Sequence, residues 1–205
     1  MIDAFITLEE NILLGLQDLR NPILDPIMKF FTFLGSYGGW AWIILCLTLI
    51  IIGRTRRVGL CGAISLALMG LTTNLTMKPL IGRIRPYEMI YGLDPAIDKP
   101  IDSSFPSGHT AASFAVSVAL FLSLTLVLEK KKAHLIGVLL IVVSTIIAFS
   151  RLYLGVHYPS DVLAGLLWGI LCGIAGTYIE EKLYKKYKER KDDNESFNPE
   201  QTTQE

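Results

Sequence analysis

Three short clusters of residues combine the side chains that phosphate chemistry uses. They read KPLIGRIRP at residues 78–86, PSGH at residues 106–109 and SRLYLGVHYPSD at residues 150–161. The first and third clusters supply the cations Lys78, Arg85 and Arg151. A guanidinium group matches phosphate oxygens in a bidentate fork, so the cations indicate a phosphate-binding site.

The prolines of the second and third clusters indicate where two helices begin. Pro106 and Pro159 stand ahead of apolar runs, at positions typical of a first helical turn. Ser107 and Gly108 would then lie at a helix start, where backbone N–H groups without intrahelical acceptors bind anions. Because Gly108 has no side chain, the backbone there can approach a ligand closely. The Ser-Gly pair therefore predicts a cradle for phosphate oxygens.

Two of the chain's three histidines fall in these clusters. His157 precedes Asp161 by four residues, and a carboxylate bonded to one ring nitrogen leaves the other nitrogen free as a nucleophile. A protonated His109 could donate to the leaving oxygen. The combination predicts phosphoryl transfer through a phosphohistidine. Asp161 is the one carboxylate inside the clusters, so we expect neither a metal nor another cofactor.

The elements that must position these residues are apolar helices. The chain has 205 residues with a mean hydropathy of +0.45. Its uncharged blocks are Phe30–Gly53, Val58–Met77, Thr110–Leu128, Ala133–Ser150 and Val162–Ile179. Each is close to the roughly 20 residues that cross a bilayer, and the blocks lack the polar face that a helix of a soluble bundle would show. We therefore predict an all-α, polytopic membrane bundle with five spans.

The two ends of the chain differ from this apolar region. Residues 1–29 carry charges, and Phe5, Leu8 and Ile12 recur at helical spacing, which predicts amphipathic helices lying in the membrane interface. A sixth crossing within residues 1–35 is left open. Residues 30–187 would form the transmembrane catalytic domain, and the polar residues 188–205 a disordered cytoplasmic tail.

The basic segments predict which end of the bundle faces outward. Residues 54–57, 129–132 and 182–191 are basic, and five alternating spans place all three on one face. Short basic loops stay cytoplasmic, so the opposite face is extracytoplasmic. The three chemical clusters all lie at helix ends on that opposite face, where they can converge.

In order and spacing, the clusters resemble the signature of the type 2 phosphatidic acid phosphatase family, to which the vanadium haloperoxidases also belong. The signature is Lys-x6-Arg-Pro, then Pro-Ser-Gly-His, then Ser-Arg-x5-His-x3-Asp, and the resemblance covers about residues 30–185. It implies that His157 is the nucleophile, Asp161 its orienting partner and His109 the general acid. It further implies phosphate binding by Lys78, Arg85, Arg151, Ser107 and Gly108, with a minor positioning role for Ser150. Many membrane members have six spans, whereas this chain shows five clear ones.

The resemblance implies a lipid phosphatase that needs no metal. Its expected substrates are undecaprenyl diphosphate, phosphatidylglycerol phosphate or phosphatidic acid, and recycling of an undecaprenyl carrier in a bacterial envelope is the favoured analogy. Two alternatives stay open: a vanadate-dependent haloperoxidase, and a non-enzymatic lipid transporter or binding protein whose buried charges line a pathway. We expect the bilayer and a lipid phosphate as partners and no nucleic acid. The sequence does not rank the lipids or give the oligomeric state.

Two further features have a structural and a functional interpretation. Arg83 lies outside the signature, so it could anchor the chain at the interface or contact a second phosphate. Gly165, Gly169 and Gly173 recur every four residues, which indicates close helix packing, and we predict packing within one chain rather than between copies.

Overall fold

The computed structural model describes residues 2–197, apart from the side chains of residues 2, 3, 37, 38 and 195–197. Within this range every regular element is helical, which confirms the predicted all-α class. The α-helices are α1 Ile2–Asp18, α2 Leu24–Leu34, α3 Ser36–Ile51, α4 Arg56–Met69, α5 Lys78–Ile81, α6 Pro86–Met89, α7 Gly108–Ser123, α8 Lys130–Tyr153 and α9 Pro159–Phe197.

Four of the described helical segments are long and apolar enough to cross a membrane. They are Gly53–Met89, Gly108–Leu126, Lys130–Tyr153 and Pro159–Asn194. The helices α2 and α3 form a fifth span if they are counted together, with a bend of 51° between them. The predicted first span, Phe30–Gly53, is therefore a bent pair, and the proposed domain boundary after residue 29 falls inside α2. Hydropathy averages over a bend, so it places the span but does not reveal the break.

The second span changes its helical geometry before it reaches the first chemical cluster. Helix α4 continues as a π-helix over Gly70–Met77 and then as α5, which begins at Lys78. Wider π turns occur frequently at functional sites because they rotate the residues that follow. This segment therefore sets the direction in which Lys78 leaves the helix.

Helix α7 is the buried centre of the bundle and packs closely on α9. A Cβ atom built on Gly165, Gly169 or Gly173 would lie 2.6–2.8 Å from the backbone carbonyl oxygens of Ser107, Ala111 and Ala115. Those distances leave no room for a side chain, so the three glycines pack within the chain, as predicted. This contact fixes the start of α9, with Asp161, against the start of α7, with His109.

The amphipathic helix α1 packs beneath the loops that carry the chemical clusters. Leu13 is fully buried against Ile90, Leu93 and Tyr158, while Phe5 and Leu8 are exposed. This pattern is consistent with an interfacial helix, whose placement in the membrane stays a prediction.

The structure differs from the prediction at the C-terminus. Helix α9 continues through residues 188–197, which were expected to be disordered. The segment is rich in lysine and glutamate, which are good helix formers, and the preceding turn carries an i,i+4 ion pair between Glu181 and Lys185 of 2.7 Å. Residues 198–205 lie outside the described residues.

Candidate active site

The three chemical clusters meet at one end of the bundle. The start of α5, the start of α7 and the bend between α2 and α3 surround a cavity of about 240 Å³. The turn between α8 and α9 adjoins this region through Arg85, which donates to the Val156 carbonyl and lies 3.4 Å from His157. Its lining includes Lys78, Gly108, His109, Asn74 and Asp102. These residues, separated by up to 35 positions in the sequence, thus share one small polar space, as the sequence predicted for Lys78, Gly108 and His109.

His157 and Asp161 form a buried pair. The Nδ1 atom of His157 lies 3.4 Å from Oδ2 of Asp161, and neither side chain is more than 1% exposed. The other ring nitrogen, Nε2, lies 3.4 Å from Nη1 of Arg85. Since a guanidinium can only donate, this network favours the tautomer with a proton on Nδ1 and an unprotonated Nε2 whose lone pair faces Arg85.

The surroundings of His157 keep its ring neutral. Burial lowers the pKa of His157 to about 3, and the charges of Arg151 and Arg85 act in the same direction. The hydrogen bond to Asp161 acts the other way and is outweighed. An imidazole with this pKa is unprotonated at neutral pH, which is the state that a nucleophile requires.

Asp161 is held by three donors besides the histidine. The backbone N–H of Tyr158 donates to Oδ2 over 2.9 Å, and the hydroxyl of the fully buried Ser104 donates to the same oxygen. Nη1 of Arg83 donates to Oδ1 over 2.6 Å. These bonds leave the carboxylate little freedom to rotate, so Asp161 can fix the orientation of the imidazole.

Arg83 links the site to the N-terminal helix, a connection that the sequence analysis missed. Its Nη2 donates over 2.9 Å to Glu9 of α1, which is only 3% exposed. The other carboxylate oxygen of Glu9 accepts the backbone N–H of Ser160, at the start of α9, over 2.8 Å. In the structure the guanidinium of Arg83 joins Glu9 to Asp161, and the two roles considered for it, interface anchor and contact to a second phosphate, stay predictions. No signal within the sequence could have paired residues this far apart.

Arg85 and Lys78 are both paired with Asp102 from the loop between α6 and α7. Arg85 donates to the Asp102 carboxylate over 2.6 Å, to the Asp102 backbone carbonyl over 2.9 Å and to the Val156 carbonyl over 2.7 Å. Nζ of Lys78 donates to the second carboxylate oxygen. Burial alone would raise the pKa of Asp102, but its bonds to Lys78 and Arg85 hold the pKa at about 2. Asp102 is therefore ionised and occupies the two cations that the sequence assigned to phosphate.

Arg151 of α8 is the most deeply buried of the three predicted phosphate-binding cations. It is 2% exposed and donates through Nη1 to the hydroxyl of Thr32 in α2. Its Nε is buried and has no hydrogen-bond partner among the described residues. Leaving a buried donor without an acceptor is costly, so this position suits a ligand that brings an oxygen.

The N-terminus of α7 supplies backbone donors next to these cations. The N–H of Ser107 is used by the backbone carbonyl of Asp161, at 3.0 Å. The N–H groups of Gly108, His109 and Thr110 are in the first turn, where helices have no internal acceptors. A Cβ on Gly108 would lie 3.7 Å from Nζ of Lys78, so the backbone donors and the lysine face the same space. The backbone donors thus lie where the sequence placed them, and their role as a phosphate cradle stays a prediction.

His109 stands in the same cavity and is held by the bend between α2 and α3. Its Nε2 lies 3.4 Å from the hydroxyl oxygen of Ser36. A Cβ on Gly35 would come within 2.8 Å of the imidazole, so only glycine lets the ring occupy this place. The positively charged side chains that lie near His109 are those of Arg151, Lys78 and Arg85. Gly35 and Ser36 were not predicted, since their importance depends on the helix bend.

Ser150 is the one predicted residue that does not join the site. Its hydroxyl donates over 2.6 Å to the carbonyl of Ile147 in the preceding turn of α8. This bond satisfies the buried hydroxyl inside its own helix. We therefore no longer expect Ser150 to bind phosphate. Among the described residues, no group of three or more histidine, cysteine, aspartate and glutamate side chains is arranged to hold a metal ion.

Comparison with known proteins identifies what this arrangement resembles. Residues 58–185 match the profile of the PAP2 superfamily. The chain is 34% identical over 152 residues to an undecaprenyl-diphosphatase of Sulfolobus acidocaldarius, covering 72% of this chain and 68% of the relative. It is 30% identical over 160 residues to the undecaprenyl-diphosphatase BcrC of Bacillus subtilis, covering 75% and 74%. The crystal structure of a transmembrane PAP2-type phosphatidylglycerolphosphate phosphatase from B. subtilis superimposes with a TM-score of 0.74 at 26% identity, covering 87% of both chains.

Proposed function

The chain belongs to the PAP2 superfamily and is a membrane lipid phosphatase, and from this premise we propose that it hydrolyses a polyprenyl diphosphate through a phosphohistidine on His157. The observation that carries the mechanism is the orientation of His157, whose Nδ1 faces Asp161 and whose Nε2 faces Arg85. The diphosphate is favoured because both sequence relatives described above are named undecaprenyl-diphosphatases.

In the first step, the lone pair of Nε2 attacks the terminal phosphorus atom. Arg85, Arg151 and Lys78 balance the negative charge on the phosphoryl oxygens, together with the N–H groups at the start of α7. The bond from phosphorus to the bridging oxygen breaks, and His109 donates its proton to that oxygen. A lipid monophosphate leaves, and the phosphoryl group stays on His157.

In the second step, water attacks the phosphohistidine. His109, which is now neutral, accepts a proton from the water while the bond from phosphorus to Nε2 breaks. Inorganic phosphate and the free imidazole are the products. The proton on Nδ1 stays between His157 and Asp161 throughout, so the carboxylate stabilises the charge that develops on the ring.

An apolar groove beside the phosphate cavity supports a lipid substrate. The groove has a volume of about 390 Å³ and runs between α3 and α4. It shares Met69 and Asn74 with the phosphate cavity, and its other lining residues include Ile43, Leu47 and Ala67. A lipid could therefore place its head group among the cations and its hydrocarbon chain along the outside of the bundle.

We further place this active site on the extracytoplasmic face. The basic segments at residues 54–57, 129–132 and 182–191 lie at the helix ends opposite the site, and short basic loops remain in the cytoplasm. A phosphatase that faces outward can reach a polyprenyl diphosphate left on the outer leaflet.

The test is phosphate release by the purified protein in detergent micelles that contain EDTA. Undecaprenyl diphosphate, phosphatidylglycerol phosphate and phosphatidic acid are offered in parallel, and His157→Ala is the control. We expect release that persists in EDTA, is fastest with the diphosphate and is lost in the variant. Full activity of folded His157→Ala protein would contradict the mechanism, whereas a preference for a monophosphate would contradict only the substrate.

A further inference from the structure

The phosphate-binding cations already hold an anion that belongs to the protein. Asp102 places one carboxylate oxygen on Arg85 at 2.6 Å and the other on Lys78. Two oxygens on one central atom, shared by a guanidinium and an ammonium, are the contacts that a phosphoryl group would make at the same place. The carboxylate is thus an internal equivalent of the ligand.

Asp102 is the partner that can move. Its side chain is 52% exposed, whereas those of Lys78 and Arg85 are only 11% and 4% exposed. Rotation of the carboxylate toward solvent would uncover little apolar surface. The backbone carbonyl of Asp102 would remain bonded to Arg85 Nε, so the loop need not unfold. In contrast, Asp161 is fully buried and is held by several donors, so it is not a movable group.

The Asp102 carboxylate and a phosphate cannot both bind Lys78 and Arg85 without a high cost in electrostatic free energy. A phosphate bound to Lys78 and Arg85 would stand next to an ionised carboxylate, and like charges a few ångströms apart repel strongly away from bulk water. Since Asp102 stays ionised over the physiological pH range, the conflict is relieved by displacement of the carboxylate. Every phosphate that enters must therefore compete with Asp102.

We propose that Asp102 is an internal competing ligand that sets the affinity of the site for phosphate. Its carboxylate occupies Lys78 and Arg85 in the free enzyme, yields them to the substrate and takes them back when inorganic phosphate leaves. The inference rests on the proposed function, because it assumes that these two cations bind the substrate phosphate. The inference predicts that replacement of Asp102 tightens the binding of phosphate and slows the release of inorganic phosphate as a product.

The experiment compares inhibition by inorganic phosphate in the wild type and in Asp102→Asn. Asp98→Asn is the matched control, because Asp98 is an exposed residue of the same loop and its loss changes the net charge equally. We expect the inhibition constant for phosphate to fall about tenfold in Asp102→Asn, which corresponds to about 1.4 kcal/mol. The KM for the lipid should fall with it, while Asp98→Asn should behave as the wild type.

An unchanged or weaker inhibition by phosphate in Asp102→Asn would overturn the inference, since Asp102 would then orient the cations rather than compete for them. Asp102→Ala serves as a second variant, and failure of both to fold would also overturn it, because a displaceable side chain is not needed for folding.

Arg85→Ala separates the two hypotheses. If it abolishes inhibition by phosphate while Asp102→Asn has no effect, the phosphate site stands and only the role of Asp102 fails. If phosphate inhibits Arg85→Ala as well as the wild type, the proposed site itself fails.

Discussion

In the proposed mechanism, the protonation state of His157 decides whether its Nε2 atom can attack phosphorus. A buried histidine surrounded by arginines has its pKa lowered to about 3, well below the 6.5 of an exposed side chain. A lowered pKa means that the neutral form persists as the pH falls through the usual range of histidine titration. The nucleophile is therefore expected to be competent over the whole range from neutral pH to about pH 4.

This gives a prediction for the pH profile of kcat/KM. After correction for ionisation of the substrate phosphate, measured separately in the same micelles, no loss of activity near pH 6.5 should be attributable to His157. The decline caused by its protonation should appear only as the pH approaches 3. If kcat/KM still falls on the acid side near pH 6.5 after this correction, and the midpoint of that fall shifts in Asp161→Asn, then His157 titrates normally, contrary to the structure.

The sequence predicted the residues of the signature and missed the residues that hold them. His157, Asp161 and Arg85 stand out by residue type and spacing, so their convergence could be predicted without a structure. Glu9 and Asp102 could not be found in this way, because each contacts the site only through the way the chain folds back. Ser150 shows the opposite error: it matches the signature, yet its hydroxyl bonds inside its own helix.

At the scale of the helices, α1 takes part in positioning the active site. Glu9 bridges Arg83 and the N-terminus of α9, and Arg83 in turn holds Asp161. A buried carboxylate that accepts two hydrogen bonds is costly to remove, typically by about 1–3 kcal/mol. The amphipathic segment that the sequence assigned to the membrane surface is thus also a support for the proposed catalytic pair, His157 and Asp161.

We expect Glu9→Gln to lower kcat about tenfold or more while KM changes little. The reason is that the weakened Arg83 no longer holds Asp161 in place, whereas the phosphate ligands are untouched. Steady-state kinetics should be compared with Glu10→Gln, which removes the same charge from the neighbouring position of α1. Equal kcat values in the two variants would show that Glu9 has no positioning role.

The groove between α3 and α4 gives a prediction about the lipid chain. Ala67 is an exposed lining residue, and an indole at this position would fill much of the groove. Ala67→Trp should reduce activity on a long-chain polyprenyl diphosphate and leave activity on a short-chain analogue nearly intact. The control is Leu171→Trp, which adds an indole to the exposed face of α9. Equal losses with both substrates would indicate damage to the site rather than to the groove.

At the scale of the whole molecule, hydropathy predicted the spans but not their irregularities. Uncharged blocks located the membrane helices because burial in lipid demands an apolar surface. The bend at Gly35 and the π-helix at Gly70–Met77 depend on packing against neighbouring helices and leave no periodic signal. These irregular segments lie next to His109 and Lys78, so the least predictable parts of the fold are those that shape the site.

The orientation of the molecule can be tested by labelling from outside. Cysteines introduced singly as Asp98→Cys, in the loop near the site, and Lys131→Cys, in a basic segment, should differ in intact cells. The native Cys46, Cys61 and Cys172 are buried and would be replaced by alanine. A maleimide that does not cross membranes should label position 98 and spare position 131 until the cells are permeabilised. The reverse pattern would place the active site in the cytoplasm.

The most direct test of the mechanism is to trap the phosphorylated enzyme. The wild type is mixed with its lipid substrate, quenched in alkali to preserve a phosphohistidine, digested and sequenced by mass spectrometry. We predict phosphate on the peptide that contains His157, localised to that residue and absent from folded His157→Ala protein. Turnover in the wild type with phosphate on another residue, or with no phosphorylated enzyme under conditions that preserve a phosphohistidine standard, would contradict His157 as the nucleophile.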